Sequence, residues 1–99
     1  MKGEVVTLVS MLGEVIGKVT DESDTHITLD NPRLFVPAQD GKNGGFAPGI
    51  CMTGVAEPSE LTFNKNVVLT ISLSHHQIAS AWHEATSGIA IAQAGDIPS

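Results

Sequence analysis

Along the first third of the chain, hydrophobic residues recur at every second position. Val5 to Val9 (VVTLV) is a short β-branched run, and Ser10 to Gly13 (SMLG) makes a tight connection. From Glu14 to Thr20, Val15, Gly17 and Val19 share one face, while Glu14, Ile16, Lys18 and Thr20 share the other. A period of two marks a strand. Gly17 inside that strand predicts a sharp bend or a close backbone approach. Asp21 to Thr25 (DESDT) is a polar turn. His26 to Val36 forms a third strand, interrupted at Asn31-Pro32 because proline brings no N–H to a ladder.

Pro37 to Gly49 (PAQDGKNGGFAPG) is dense in Gly, Pro and Asn and predicts an extended hairpin loop, with Asn43-Gly44 as its turn dipeptide. Ile50 to Ala56 is a fourth strand, followed by a second turn region through Glu57-Pro58-Ser59-Glu60. Val67 to Ser74 (VVLTISLS) alternates most cleanly, with Val67, Leu69, Ile71 and Leu73 on one side. This strand carries neither charge nor proline to protect it as a bare edge, so something must cover it or pair with it. After it the period changes. Ile78, Ala81, Trp82, Ala85, Ile89 and Ala92 fall on one face of an α-helix. Ser74-His75-His76-Gln77 has the form of a capping box that starts this helix. Gly88 weakens it at the far end. The expected fold is mainly β: a small, strongly bent five-stranded antiparallel barrel over residues 1–74. A C-terminal helix over 75–94 packs on that barrel or at a subunit interface.

Ninety-nine residues make one domain with a modest core. With 41% apolar residues but only 4% aromatics, that core must come from Val, Ile, Leu and Ala. The net charge of −6 disfavours a strong grip on a phosphate backbone. Cys51 is the lone cysteine, which rules out an intrachain disulfide and a thiolate cluster. No apolar run follows Met1-Lys2-Gly3-Glu4, and no stretch of 18 apolar residues occurs, so a reducing cytoplasm is the expected location.

VTLVSMLGEVIGKVTDESDTHITLDN resembles the first motif of the Sm-like family. That motif is a strand, a turn with Gly, a second strand with an internal Gly, and a third strand led by Asp. Gly13 and Gly17 match the two glycines, and Asp24-Thr25-His26-Ile27-Thr28-Leu29 matches the Asp-led segment. Residues 5 to 31 carry the likeness, which extends to about 74 by strand count. It implies an Sm-like barrel joined edge to edge in a homo-oligomeric ring of five to seven subunits, five being preferred. In such rings the fourth strand of one subunit pairs with the fifth of the next. The candidate interface residues are Ile50, Met52, Val68, Thr70, Ser72 and Trp82.

The family also implies binding of single-stranded RNA near the central pore. His26 matches the position that stacks on a base, and Asp24 the orienting acid. Thr28 replaces the Asn that reads the base edge. Phe63-Asn64-Lys65-Asn66 stands where the family carries Arg-Gly, leaving Asn64 and Lys65 as partial substitutes. The Lys-His pair of the bacterial RNA-chaperone branch is absent, and the helix is C-terminal rather than N-terminal. These departures suit a divergent member of the kind found in bacteriophages. Two functions are therefore expected: a ring that binds RNA weakly through Asp24, His26, Thr28, Asn64 and Lys65, or a ring-forming scaffold that contacts protein only.

No catalytic apparatus is expected, and no cofactor. The DGKNGG loop lacks the spacing of a phosphate-binding loop and precedes no helix. His76 and His83 lie seven residues apart on the helix, about 10 Å along its axis at ~1.5 Å per residue, too far to share one ion. Asp21, Glu22 and Asp24 read as a solvated turn, and Cys51 as a small buried side chain.

Overall fold

The computed structural model describes residues 1–37, 44–47, 50 and 58–87. Two long hairpins form its frame. Strand β1 (Val5–Ser10) pairs antiparallel with β2 (Gly13–Glu22), and β2 pairs antiparallel with β3 (His26–Pro37). The first turn needs a glycine, because Gly13 has φ +127°. A short strand β4 (Gly44–Phe46) folds back on the end of β3, and β5 (Glu60–Asn64) pairs with its beginning. A single 3-10 turn (Lys65–Val67) leads into β6 (Val68–Leu73), which pairs with β1. One sheet of six strands results, followed by helix α1 (His76–Thr86). Among the described residues no ladder joins β5 to β6, so the sheet is not closed by hydrogen bonds.

Alternation dictates the core. Val6, Leu8, Val15, Val19, Ile27 and Leu29 are buried in one cluster, with Leu34, Ile50, Phe63, Val68 and Ile71 packed against it. Each such side chain contributes roughly 1.5–3 kcal/mol on full burial. Aliphatic residues thus hold the sheet's inner face together, as the scarcity of aromatics requires.

Bulges bend the sheet. Ile16 pairs with Arg33 and Lys18 with Asp30, so Gly17 alone faces the two residues Asn31 and Pro32. An extra residue on one strand increases local twist. Asn31 adopts φ +49°, and its N–H leaves the ladder to donate to the Ser59 carbonyl at 2.7 Å. Gly17 is needed because a Cβ there would lie 2.9 Å from Leu29 Cβ. The expected close approach is present, and the third strand continues through Asn31-Pro32 by bulging.

The structure corrects several expectations. Among the described residues the sheet has six strands where five are expected. β5 lies partly in a predicted turn and partly in a stretch to which the pattern assigns nothing. The fourth strand expected at Ile50–Ala56 falls outside the described residues except for Ile50, and so does Met52. In β6 the strict alternation fails. Val9 pairs with Thr70 but Ser10 with Val68, so Leu69 is an extra residue that reverses the phase. Val68 and Ile71 turn to the core, while Val67 and Leu69 are each 68% exposed. Ser74 does not cap the helix. Its hydroxyl bonds Thr7 Oγ1 at 2.8 Å and its N–H donates to the Val5 carbonyl, so His75 caps instead, with Nδ1 accepting from Gln77 N–H.

Helix α1 contacts β2 and β4. Ile78 and Trp82 turn inward, whereas Ala81 and Ala85 of the expected apolar stripe are exposed. Trp82 is 2% exposed, and its Nε1–H donates to the Asn31 carbonyl at 2.9 Å. The indole, a candidate for a subunit interface by sequence, is therefore covered by its own chain. Ile16, also buried, and Ile78 line a common cleft between sheet and helix. Among the described residues no helix is long and apolar enough to cross a membrane.

Candidate functional site

Strands β3 and β5 present a polar ladder on the face opposite the core. Their apolar residues Ile27, Leu29, Leu61 and Phe63 alternate with polar ones. The register then sets three polar pairs side by side: His26 with Asn64, Thr28 with Thr62, and Asp30 with Glu60. The two threonine hydroxyls hydrogen-bond at 2.8 Å. Thr20 donates to Glu60 Oε2 at 3.0 Å, tying β2 to the same face.

One end of the ladder is defined closely. Thr25 Oγ1 lies 2.7 Å from His26 Nδ1 and fixes one edge of an exposed imidazole. Ser23 Oγ accepts from the N–H groups of both Thr25 and His26, which shapes the β2–β3 turn. Lys65 N–H donates to the Thr25 carbonyl at 2.8 Å, so the 3-10 turn is held against that hairpin. Asn64 Oδ1 accepts from Asn66 N–H at 2.8 Å and caps the turn.

Charge at this end is largely balanced internally. Lys65 Nζ donates to Glu22 Oε2 at 2.8 Å, and the N-terminal ammonium lies 3.6 Å from the other Glu22 oxygen. The hydrogen bond from Lys65 holds the Glu22 carboxyl below its ordinary value, with the charges of Lys65 and the N-terminus acting the same way. Asp30 and Glu60, directly opposed, add negative charge further along the ladder.

The fold thus gathers His26, Thr28, Asn64 and Lys65 on one edge, although 38 positions separate His26 from Asn64 in sequence. Asp24 sits in the β2–β3 turn and is exposed; it is not part of the paired ladder. Thr62 and Thr25 belong to the same edge and are not candidates by sequence; Glu22, expected in a solvated turn, instead ends β2 and bonds Lys65 there. Thr62 had a signal: in LTFN, Leu61 and Phe63 alternate with Thr62 and Asn64. Among the described residues no group of three or more His, Cys, Asp or Glu side chains is placed to hold a metal ion.

A second concave surface is apolar. A cleft of about 230 Å³ opens between the β1–β2 turn and the start of β6, lined by Leu8, Val15, Phe63, Val67 and Val68. Met11 and Leu12 at its rim are 88% and 75% exposed. Of the other interface candidates, Thr70 and Ser72 are exposed on β6, while Val68 and Ile50 pack against the core.

No family model matches this chain, and no curated protein matches it.

Proposed function

We propose that this protein is a divergent Sm-like subunit that assembles edge to edge into a ring. The ring binds short single-stranded RNA weakly through the His26–Asn64 edge. The strand order supports the reading: β6 ends one side of the sheet, β4 and β5 both lie along β3 on the other, and one 3-10 turn joins β5 to β6, as a small barrel requires. β5 and β6 each use only one edge for pairing among the described residues. A strand of one subunit can therefore extend the sheet of the next, as β-addition does elsewhere. Exposed Val67, Leu69, Met11 and Leu12 beside the β6 edge suit burial in such an assembly.

The observation that carries the RNA reading is the register of β3 and β5. It sets an exposed imidazole beside an amide, with hydroxyls one step along. An aromatic face supplies stacking, and hydroxyls and amides supply contacts to base edges. The acidic balance favours the second reading, a scaffold that binds protein only. Five subunits would carry a charge of about −30, repelling a polyanion.

Fluorescence titration with labelled oligo-U and oligo-A at low salt separates the two. Binding that is lost in His26→Ala supports the RNA reading. Absence of binding at high micromolar protein, or binding unchanged by His26→Ala, leaves the scaffold.

A further inference from the structure

We infer that Glu22 sets which part of a nucleic-acid strand this edge takes: by engaging Lys65, it leaves the edge to receive a base rather than a phosphate. The inference rests on the RNA reading and adds a selectivity to it.

Among the described residues two cations meet Glu22 at the ladder's His26 end: Lys65 at 2.8 Å and the N-terminal ammonium, more distant at 3.6 Å. The chain has five Lys and Arg residues, and the other four are Lys2, Lys18, Arg33 and Lys42. Arg33 is buried and donates to the carbonyls of Pro32 and Pro58. Lys18 pairs in register with Asp30, away from His26. Lys2 belongs to the N-terminal segment and Lys42 lies outside the described residues. At the edge itself, Lys65 Nζ touches a carboxylate at 2.8 Å. A phosphate oxygen approaching Lys65 must displace Glu22 and then sit beside the displaced carboxylate. A neutral base meets no such cost, because His26, Thr28, Thr62 and Asn64 offer it donors, acceptors and ring surface. Glu22 therefore acts as a resident anion in the position a phosphate would take.

The pair is exposed, and exposed ion pairs are individually weak. Its effect is accordingly a selectivity of a few-fold, best read from salt dependence. A strand that gains a cation–phosphate contact steepens log K against log salt by about 0.7 for each phosphate neutralised on single strands.

The test measures binding of labelled oligo-U, and of an abasic strand of equal length, at several salt concentrations. Wild-type protein is compared with Glu22→Gln, Glu22→Gln/Lys65→Met and His26→Ala, with far-UV circular dichroism confirming each fold. Wild type is expected to bind oligo-U with a shallow salt slope and to bind the abasic strand much less. Glu22→Gln is expected to bind oligo-U about 2- to 5-fold tighter at low salt, with a slope steeper by about 0.7, and the double variant to lose both gains. Equal wild-type binding of both strands overturns the inference, whatever the variants do. So does a folded Glu22→Gln protein with an unchanged slope. If His26→Ala still abolishes binding in those cases, the RNA reading stands without the selectivity. If no strand binds wild type or Glu22→Gln, both fall together.

Discussion

Trp82 donates its indole N–H to the main-chain carbonyl of Asn31 across 51 sequence positions, at 2.9 Å. Asn31 is left-handed and bulged out of the β2–β3 ladder, which makes its carbonyl available to the helix. Trp82→Phe should remove this bond while keeping most of the ring buried. Loss of one part-buried hydrogen bond costs about 0.5–1.5 kcal/mol. Trp82→Ala should cost more, about 3–5 kcal/mol, through the cavity it leaves. Urea unfolding followed by far-UV circular dichroism, which needs no tryptophan signal, checks both.

The backbone of Asn31 gives a second expectation. At φ +49° a residue with an ordinary Cβ pays about 1–2 kcal/mol that glycine does not. Asn31→Ala should therefore destabilise the protein clearly more than Asn31→Gly. Equal losses in thermal unfolding would mean that the side-chain bond to Asp30, at 3.2 Å, dominates instead.

Two glycines should respond unequally. A methyl at Gly17 would meet Leu29 and the Asp30 carbonyl, so Gly17→Ala is expected to cost about 1–3 kcal/mol by overpacking. At Gly45 nothing lies within 4 Å, so Gly45→Ala should change stability by no more than about 0.5 kcal/mol. Denaturation midpoints of the two variants test the contrast.

Glu22 should titrate below its ordinary value of 4.5 because Lys65 stabilises the carboxylate. A lowered folded value means that the pair contributes to stability above the unfolded pKa. That contribution is lost as pH falls through the folded one. Lys65→Met should move the midpoint of the Glu22 side-chain carboxyl upward in an NMR titration. A midpoint indifferent to Lys65 would show that the contact does not persist in solution.

The proposed assembly is tested at β6. Light scattering should give a mass several times 10.3 kDa. In hydrogen exchange, the N–H groups of Val68–Leu73 that point away from β1 should become protected as concentration rises. Those bonded to β1 should be protected at every concentration, which supplies the internal reference.

What the sequence made legible was local. β1, β2 and β3 follow from short hairpins and period-two patterns, and the start of the helix from a change of period. Tertiary partners decided the rest. Ser74 has the right spacing to cap α1, but Thr7, 67 positions earlier, holds its hydroxyl. VVLTISLS looks like one uninterrupted alternation until pairing with β1 forces Leu69 out of register. β5 is short and begins at a glutamate just after Pro58-Ser59, so turn signals masked its alternation. At the candidate site, the residue types of His26, Thr28 and Asn64 were readable. The neutralisation of Lys65 by Glu22 was not, because 43 positions separate them.

The carbonyl that receives the indole belongs to a residue whose own N–H reaches Ser59, the neighbour of Glu60 at the entrance to β5. Detaching α1 would thus loosen the doorway to the strand that carries Thr62 and Asn64. Helix and ladder should melt as one cooperative unit, so a mutation that frays the helix would weaken the proposed RNA-binding ladder without touching any of its residues.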